Sequence, residues 1–583
     1  MNPRLPILLL LLALLLLTGV SALAEPAPVI KITGVTGDAL NNVTEALRPP
    51  PGLFAGGRFN NLWLNRYLRL APQRVSRALE PFGYYASKVE VRVDRQAIQP
   101  IILADVTLGP QVTVASRRLD IVGEQPKQLL QKLANFPLAP GAPLEHLPYE
   151  KAKAELQAQA VDLGYLDARF TSHRILVDRD AGTASVELEL ETGTRYRFGE
   201  IRLLEGEDYP DRFLRRYLAV SPGKIFSYSD LGQTQRQLLD SDRFSSVLIT
   251  PLRQETQEDK VPVQIRLESK APKRLRPGIG YGTDTGARFF LRYQDVNAWG
   301  LGHEFTTDLL LAERKQNLIA SYQFPGYRNI DTALVLHGGY QAENLDTYET
   351  SYVFAEGEQL YGFSERRVGS IFVRFQQESS TISGEEVRTE FLMPGLRFRV
   401  GRLDDQIRPT RGYRLSLEMR GTWSALASDI TMLQALGDIN WMLPLPWRSY
   451  LSLRGSAATT VQQDDFAELP ASLRFFAGGD RSVRGHDYQS LGPTNDLGEV
   501  IGGKHLLVGS AELEKRFLKN WGAAVFYDIG NAFNNLGNYD LAQGAGIGLR
   551  YFTPVGPARL DVARAFGADR DGYRLHIGLG VGW

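Results

Sequence analysis

The chain has 583 residues, and its 66 Lys+Arg balance 66 Asp+Glu, so no field of one sign directs it to nucleic acid. Its length exceeds what one hydrophobic core serves, so several domains are expected. Cysteine is absent, which excludes disulfides, thiolate metal sites and a lipidated N-terminal cysteine.

Residues 1–24 read as a secretory signal peptide. Arg4 supplies a positive start, Ile7 to Leu17 is almost unbroken leucine, and Ala22-Leu23-Ala24 is a small-x-small cleavage pattern. No later stretch approaches the ~20 apolar residues of a transmembrane helix, so a membrane span here would have to be a closed barrel.

Residues 28–270 read as a threefold repeat of mixed helix and strand. In the first unit a helix runs from Val75 to Gly83-Tyr84-Tyr85 and is followed by Val89-Glu90-Val91-Arg92-Val93. The second runs from Lys153 to Gly164-Tyr165 and on to a strand near Arg174 to Asp178. The third runs from Leu231 to Leu239, then Asp242-Arg243-Phe244 and Val247-Leu248-Ile249. Gly83 and Gly164 suit left-handed helix caps, and the aromatics after them pack beneath their helices. Val186, Leu188 and Leu190 alternate with Glu187, Glu189 and Glu191, the pattern of a half-buried strand. Each unit is expected to run strand, two helices, two strands, with junctions at Gly109-Pro110 and Gly193. The predicted organisation is therefore a signal peptide over 1–24, modules over 25–109, 110–193 and 194–270, and a barrel over 271–583.

From about Leu275 the helical period gives way to alternating segments of roughly ten residues, the signature of a transmembrane barrel. Tyr413, Leu415, Leu417 and Met419 share one face, and Arg414, Ser416, Glu418 and Arg420 the other. Sixteen segments are predicted to start near 276, 287, 303, 315, 330, 348, 367, 386, 412, 430, 448, 504, 520, 542, 556 and 572. The fold class is thus α+β repeats followed by an all-β barrel of sixteen antiparallel strands. Connections after even strands are short, as periplasmic turns should be, and Trp441, Trp447 and Trp521 near them suit a membrane interface. The longest connection, about 461–503, follows the eleventh strand.

That connection contains Phe475-Phe476-Ala477-Gly478-Gly479-Asp480-Arg481-Ser482-Val483-Arg484-Gly485-His486-Asp487-Tyr488. It resembles the sixth extracellular loop of the BamA/TamA superfamily of outer-membrane assembly factors, with its V-R-G-aromatic signature. The likeness implies that Val483, Arg484, Gly485 and His486 fold back into the lumen. Arg484 would there meet Asp528 of the Phe526-Tyr527-Asp528-Ile529-Gly530 strand motif. His486 stands where the signature has Tyr or Phe. Glu512, in Ser510-Ala511-Glu512-Leu513, is expected to face the lumen from the twelfth strand, and Asp404-Asp405 with Pro409-Thr410-Arg411-Gly412 to form the turn between the eighth and ninth. The repeats resemble that superfamily's POTRA modules, which bind clients partly by offering a sheet edge. Three modules and sixteen strands resemble its TamA branch, which implies a TamB-like inner-membrane-anchored partner, unfolded outer-membrane protein or autotransporter clients, outer-membrane lipid around the barrel, and an outer-membrane location in a Gram-negative cell.

The first barrel strand holds Gly278, Gly280 and Gly282; the last holds Gly578, Gly580 and Gly582 and ends on Trp583. Glycine weakens strands and lets them kink, so these residues predict either tight packing against the folded-in loop or a weak lateral seam that opens to template a client strand. Alternatives are a two-partner-secretion-type transporter, for which no plug helix is read before Val29, and a lipid conduit. No enzyme, cofactor or metal site is expected: no Gly-x-Ser-x-Gly elbow occurs, and Thr307 stands where a zincin beginning at His303-Glu304 would need histidine.

Overall fold

The computed structural model describes residues 29–579 apart from 56–57, 95–100, 327–328, 365, 406–407, 538, 554–555 and 567–571. The predicted signal peptide, and Gly580, Gly582 and Trp583, lie outside the described residues. The chain divides into two compact units. One comprises the chain up to Ile201 with Val220–Gly232 and Pro251–Val263; the other comprises Arg202–Ala219, Gln233–Thr250 and everything from Gln264 on.

The first sheet has the order β1-β5-β4, from β1 (Val29–Thr33), β4 (Lys88–Asp94) and β5 (Ile101–Thr107). Between β1 and β4 come α1 (Gly37–Ala46), a small hairpin of β2 (Phe54–Ala55) and β3 (Arg58–Phe59), and α2 (Asn61–Leu79). Asn60 caps α2 by accepting from the N–H groups of Leu62 and Trp63 at 3.1 and 3.3 Å. Leu64, Tyr67, Ala71, Val75 and Leu79 recur at helical spacing and are buried against Ile102, Ala104 and Val106 of β5. Gly83, at φ +83°, ends the helical segment.

The second sheet, β6-β8-β7, repeats this plan with β6 (Thr113–Val122), α3 (Lys127–Ala134), α4 (His146–Asp162), β7 (Arg169–Asp178) and β8 (Thr183–Glu191). Val186, Leu188 and Leu190 are buried, while Glu187 and Glu191 turn out to Arg174 and Arg169 at 2.7 and 2.8 Å. The third sheet, β10-β11-β9, is built from β9 (Arg197–Leu204), β10 (Phe244–Pro251) and β11 (Lys260–Ser269), with α5 (Asp211–Arg215) and α6 (Tyr228–Asp240) between β9 and β10.

Sixteen antiparallel strands then close a barrel. They are β12 (Lys273–Gly282), β13 (Gly286–Ala298), β14 (His303–Ala312), β15 (Lys315–Pro325), β16 (Thr332–Asn344), β17 (Tyr348–Ser364), β18 (Arg367–Ile382) and β19 (Glu385–Leu403). The second half is β20 (Gly412–Thr422), β21 (Met432–Leu445), β22 (Ser449–Gln462), β23 (His505–Arg516), β24 (Trp521–Phe533), β25 (Ala542–Thr553), β26 (Gly556–Phe566) and β27 (Tyr573–Leu579). Observed starts fall within three residues of those predicted from alternation, because period two runs into the turn residues and blurs each edge. No described helix is long and apolar enough to cross a membrane; the strands provide the apolar wall. Leu417, Met419, Ile371, Val373, Leu560 and Val562 are all more than 40% exposed on the outer face, which is unfavourable in water and required against lipid.

Candidate functional site: a loop docked in the barrel lumen

Four neighbouring strands supply the inner wall of the site. Leu513, Val525, Tyr527, Ile547, Leu549 and Leu560 point outward, so alternation turns Glu512 (β23), Phe526 and Asp528 (β24), Arg550 (β25) and Asp561 (β26) inward. Cross-strand register pairs Glu512 with Phe526 and Ser510 with Asp528.

The connection between β22 and β23 descends onto this wall. Arg484 donates through Nε to Asp528 Oδ2 at 2.7 Å and through a terminal nitrogen to Asp528 Oδ1 at 3.0 Å. Its backbone N–H reaches the same carboxylate at 3.2 Å. The other terminal nitrogen donates to Glu512 at 2.7 Å and Asp561 at 3.2 Å, and the guanidinium lies 3.3 Å from the centre of the Phe526 ring. Arg484 is 2% exposed and Asp528 fully buried, so the two-pronged contact is shielded from solvent. Arg550 completes the group by bonding Asp561 and by donating to Glu512 at 2.9 Å. Two cations and three carboxylates leave a formal charge of −1, a structural ion network with no nucleophile–base pair in it.

Each residue of the loop signature has a definite place. Val483 is fully buried with Ala477, Leu491 and Val508. Gly485 has φ +95°, and a Cβ there would stand 2.8 Å from the Ala565 nitrogen, so glycine is required. His486, in the aromatic position, is 7% exposed and its Nε2 lies 3.3 Å from the Gln543 carbonyl oxygen. Tyr488 is turned the other way, its hydroxyl donating to Glu343 of β16 at 3.3 Å.

The sequence reading missed Arg550, Asp561 and a file of inward glycines on β25. A Cβ at Gly544 would overlap the Arg484 carbonyl, one at Gly546 the Phe526 ring, and one at Gly548 the Asp561 carboxylate. Gly544 thus makes room for the loop backbone, and Gly546 and Gly548 make room for the Phe526 ring and the Asp561 carboxylate that Arg484 contacts. Their alternation in Ala542-Gln543-Gly544-Ala545-Gly546-Ile547-Gly548 was the available signal.

At the closing edge, β12 pairs with β27 through Tyr281↔Leu579 and Gly282↔Gly578. Gly580, Gly582 and Trp583 lie beyond the described residues. The glycines of β12 differ in surroundings: a Cβ at Gly278 would overlap the Phe290 ring, and one at Gly280 would stand 2.7 Å from Arg288 Nε. Through the space above Gly280, Arg288 of β13 reaches across β12 and donates to the Leu579 carbonyl of β27 at 3.0 Å. A Cβ at Gly282 would make only ordinary contacts, with Thr285 Oγ1 at 3.5 Å and the Ile577 carbonyl at 3.9 Å, and one at Gly578 would meet no atom of the described residues within 4 Å.

On another part of the inner wall, His337, Glu356 and Glu358 place possible ligand atoms within 4.8 Å of one another. Arg397 already pairs with Glu356 and Glu358 at 2.6 and 3.3 Å, and Arg374 with Glu356 at 2.7 Å. These carboxylates are neutralised by guanidinium groups, which makes the cluster a wall network.

A closed barrel with an apolar outer belt, a loop locked into its lumen and strand–helix–helix–strand–strand sheets before it defines a class, the outer-membrane barrel with periplasmic POTRA domains. Residues 297–583 match the Omp85 superfamily domain, 29–108 match "POTRA domain TamA domain 1", and 196–270 match POTRA, described as "Surface antigen variable number repeat". The chain belongs to the Omp85 superfamily as a POTRA-bearing member. It is 21% identical over 394 residues to the outer membrane protein assembly factor BamA of Nitratidesulfovibrio vulgaris, covering 64% of this chain and 49% of that one. It is 24% identical over 426 residues to BamA of Neisseria meningitidis serogroup B, covering 67% and 52%. The chain thus spans about half the length of these curated relatives. Its fold is that of the crystal structure of Haemophilus ducreyi BamA lacking POTRA domains 1–3, with a TM-score of 0.67, 18% identity, and 80% and 99% of the two chains covered.

Proposed function

We propose that this chain is an outer-membrane assembly factor that helps β-barrel proteins or autotransporters insert or translocate through the seam between β12 and β27. The observation that carries the reading is the docked loop: Arg484 is anchored on β23, β24 and β26, beside the closing strands. A barrel stiffened from within on that side, and closed by strands carrying Gly278, Gly280, Gly282 and Gly578, is suited to part at the seam. An opened β12 edge would offer backbone groups to a client strand. Modules over 25–109, 110–193 and 194–270, behind a signal peptide at 1–24, would receive unfolded clients in the periplasm and pass them to the barrel at 271–583. A TamB-like inner-membrane-anchored partner is part of this proposal, supported by the match of residues 29–108 to the first TamA POTRA domain.

A second reading, a conduit for polypeptide or lipid, draws on a lumen cavity lined by Arg408, Arg414, Arg454, Arg516 and Arg559. The two readings part in reconstitution. With the full chain in phospholipid vesicles, an added unfolded outer-membrane protein should fold faster than in protein-free vesicles, read by the mobility of unheated samples on gels. Unaccelerated folding together with a steady open conductance would overturn the assembly reading in favour of the conduit.

A further inference from the structure

Besides the Arg484 lock, the loop has polar anchors on both sides of the seam. On the first-strand side Asp284, in the hairpin joining β12 to β13, is 7% exposed and accepts the Asp480 backbone N–H at 2.8 Å. Gly479, at φ +102°, brings the loop backbone so close that a Cβ there would stand 2.7 Å from the Asp284 carboxylate. On the last-strand side His576 of β27 is 3% exposed, and its Nε2 accepts the Gly485 backbone N–H at 3.0 Å. Two residues earlier on the same inward face, Arg574 donates to Asp487 at 2.6 Å. Within eight residues, Asp480 to Asp487, the loop is tied first to the hairpin that follows β12 and then to β27.

We propose that this segment is a clasp across the seam, in which Asp284 on one side and His576 with Arg574 on the other are positioning residues that hold β12 and β27 together through the loop. The assignment rests on the reading of the seam as the working edge. The geometry gives it a specific mechanical form. A side-chain bridge through a third segment is released as a whole when either end lets go. Independent contacts, by contrast, are lost one at a time. Arg484 belongs to neither end: it fixes the loop to β23, β24 and β26, so the clasp has a firm base against which both closing strands are held.

The test uses the full chain in lipid bilayers with spin labels at Tyr281→Cys and Leu579→Cys, and reads the fraction of molecules in which the two strands have separated. Asp284→Ala, and separately His576→Ala, should each raise that fraction by about tenfold, the shift that loss of one charge-assisted or buried hydrogen bond supports. The double variant should raise it no further than either single one. Glu356→Gln, in the wall network, should leave it unchanged. Unheated gel mobility reports that each barrel is folded; Arg574→Ala replaces His576→Ala if that variant fails to fold, and Gly479→Ala, whose Cβ would push into the Asp284 carboxylate, likewise replaces Asp284→Ala. Additive effects of the two ends, no effect of either, or an equal effect of Glu356→Gln would each overturn the clasp. The readout needs no client. Failure of client assembly to depend on the seam would sink the proposed function and leave this result standing.

Discussion

At the scale of single residues, the account turns on two carboxylates in opposite settings. Asp528 is fully buried and satisfied by Arg484. Arg484→Ala leaves it charged and unpaired, a change that costs about 3–5 kcal/mol for a buried pair, less what lumen water returns. The barrel should convert to its unfolded gel mobility at a lower temperature, and the 463–504 connection should become open to protease. Arg484→Lys keeps the charge and loses the two-pronged geometry, so it should restore part of the stability and not all of it. Asp404 sits instead in the turn between β19 and β20. Burial pushes its pKa up, but the Thr410 hydroxyl and the N–H groups of Thr410, Arg411 and Asp405 outweigh it and hold the carboxyl down at about 2. A folded pKa below the unfolded value of about 3.9 means that the turn's added stability is present above that value and is lost as pH falls toward 2. Amide exchange at Thr410 and Arg411 should therefore show extra opening between about pH 4 and 2, beyond the intrinsic pH trend, and Asp404→Asn should abolish that step. Equal protection in both proteins across that range would contradict the assignment.

At the scale of elements, what was legible in the sequence was what local period and motif encode. Val186, Leu188 and Leu190 against Glu187, Glu189 and Glu191 give a strand with a buried face wherever that strand is placed, and the structure buries those three positions. The barrel strands were legible for the same reason, since lipid on one side and lumen on the other force alternation. Arg484, Asp528 and Glu512 were found because a loop motif and two strand motifs stood out together. Asp284, Asp561 and His576 were not, because their roles depend on which strand or hairpin meets which loop residue, and Arg550 was not, because its partner Glu512 lies two strands away; no local spacing records either. The β25 glycines lie between: their alternation is visible, but its reasons, the docked Arg484 carbonyl at Gly544, the Phe526 ring at Gly546 and the Asp561 carboxylate at Gly548, are tertiary. Gly544→Ala should overpack the space that the loop backbone fills, costing about 1–3 kcal/mol and loosening the loop, whereas Gly578→Ala, with no atom of the described residues within 4 Å of the added carbon, should be close to neutral. Matched thermal shifts for the two variants would contradict this packing.

At the scale of the whole molecule, the central claim is that clients pass through an opening between the first and last barrel strands. The register supplies a direct probe, because Tyr281 and Leu579 are directly paired and the native chain contains no cysteine to interfere. With Tyr281→Cys and Leu579→Cys in the full chain, oxidation should abolish client assembly while unheated gel mobility shows the barrel still folded, and reduction should restore it. Undiminished client assembly by the fully oxidised protein would contradict the account.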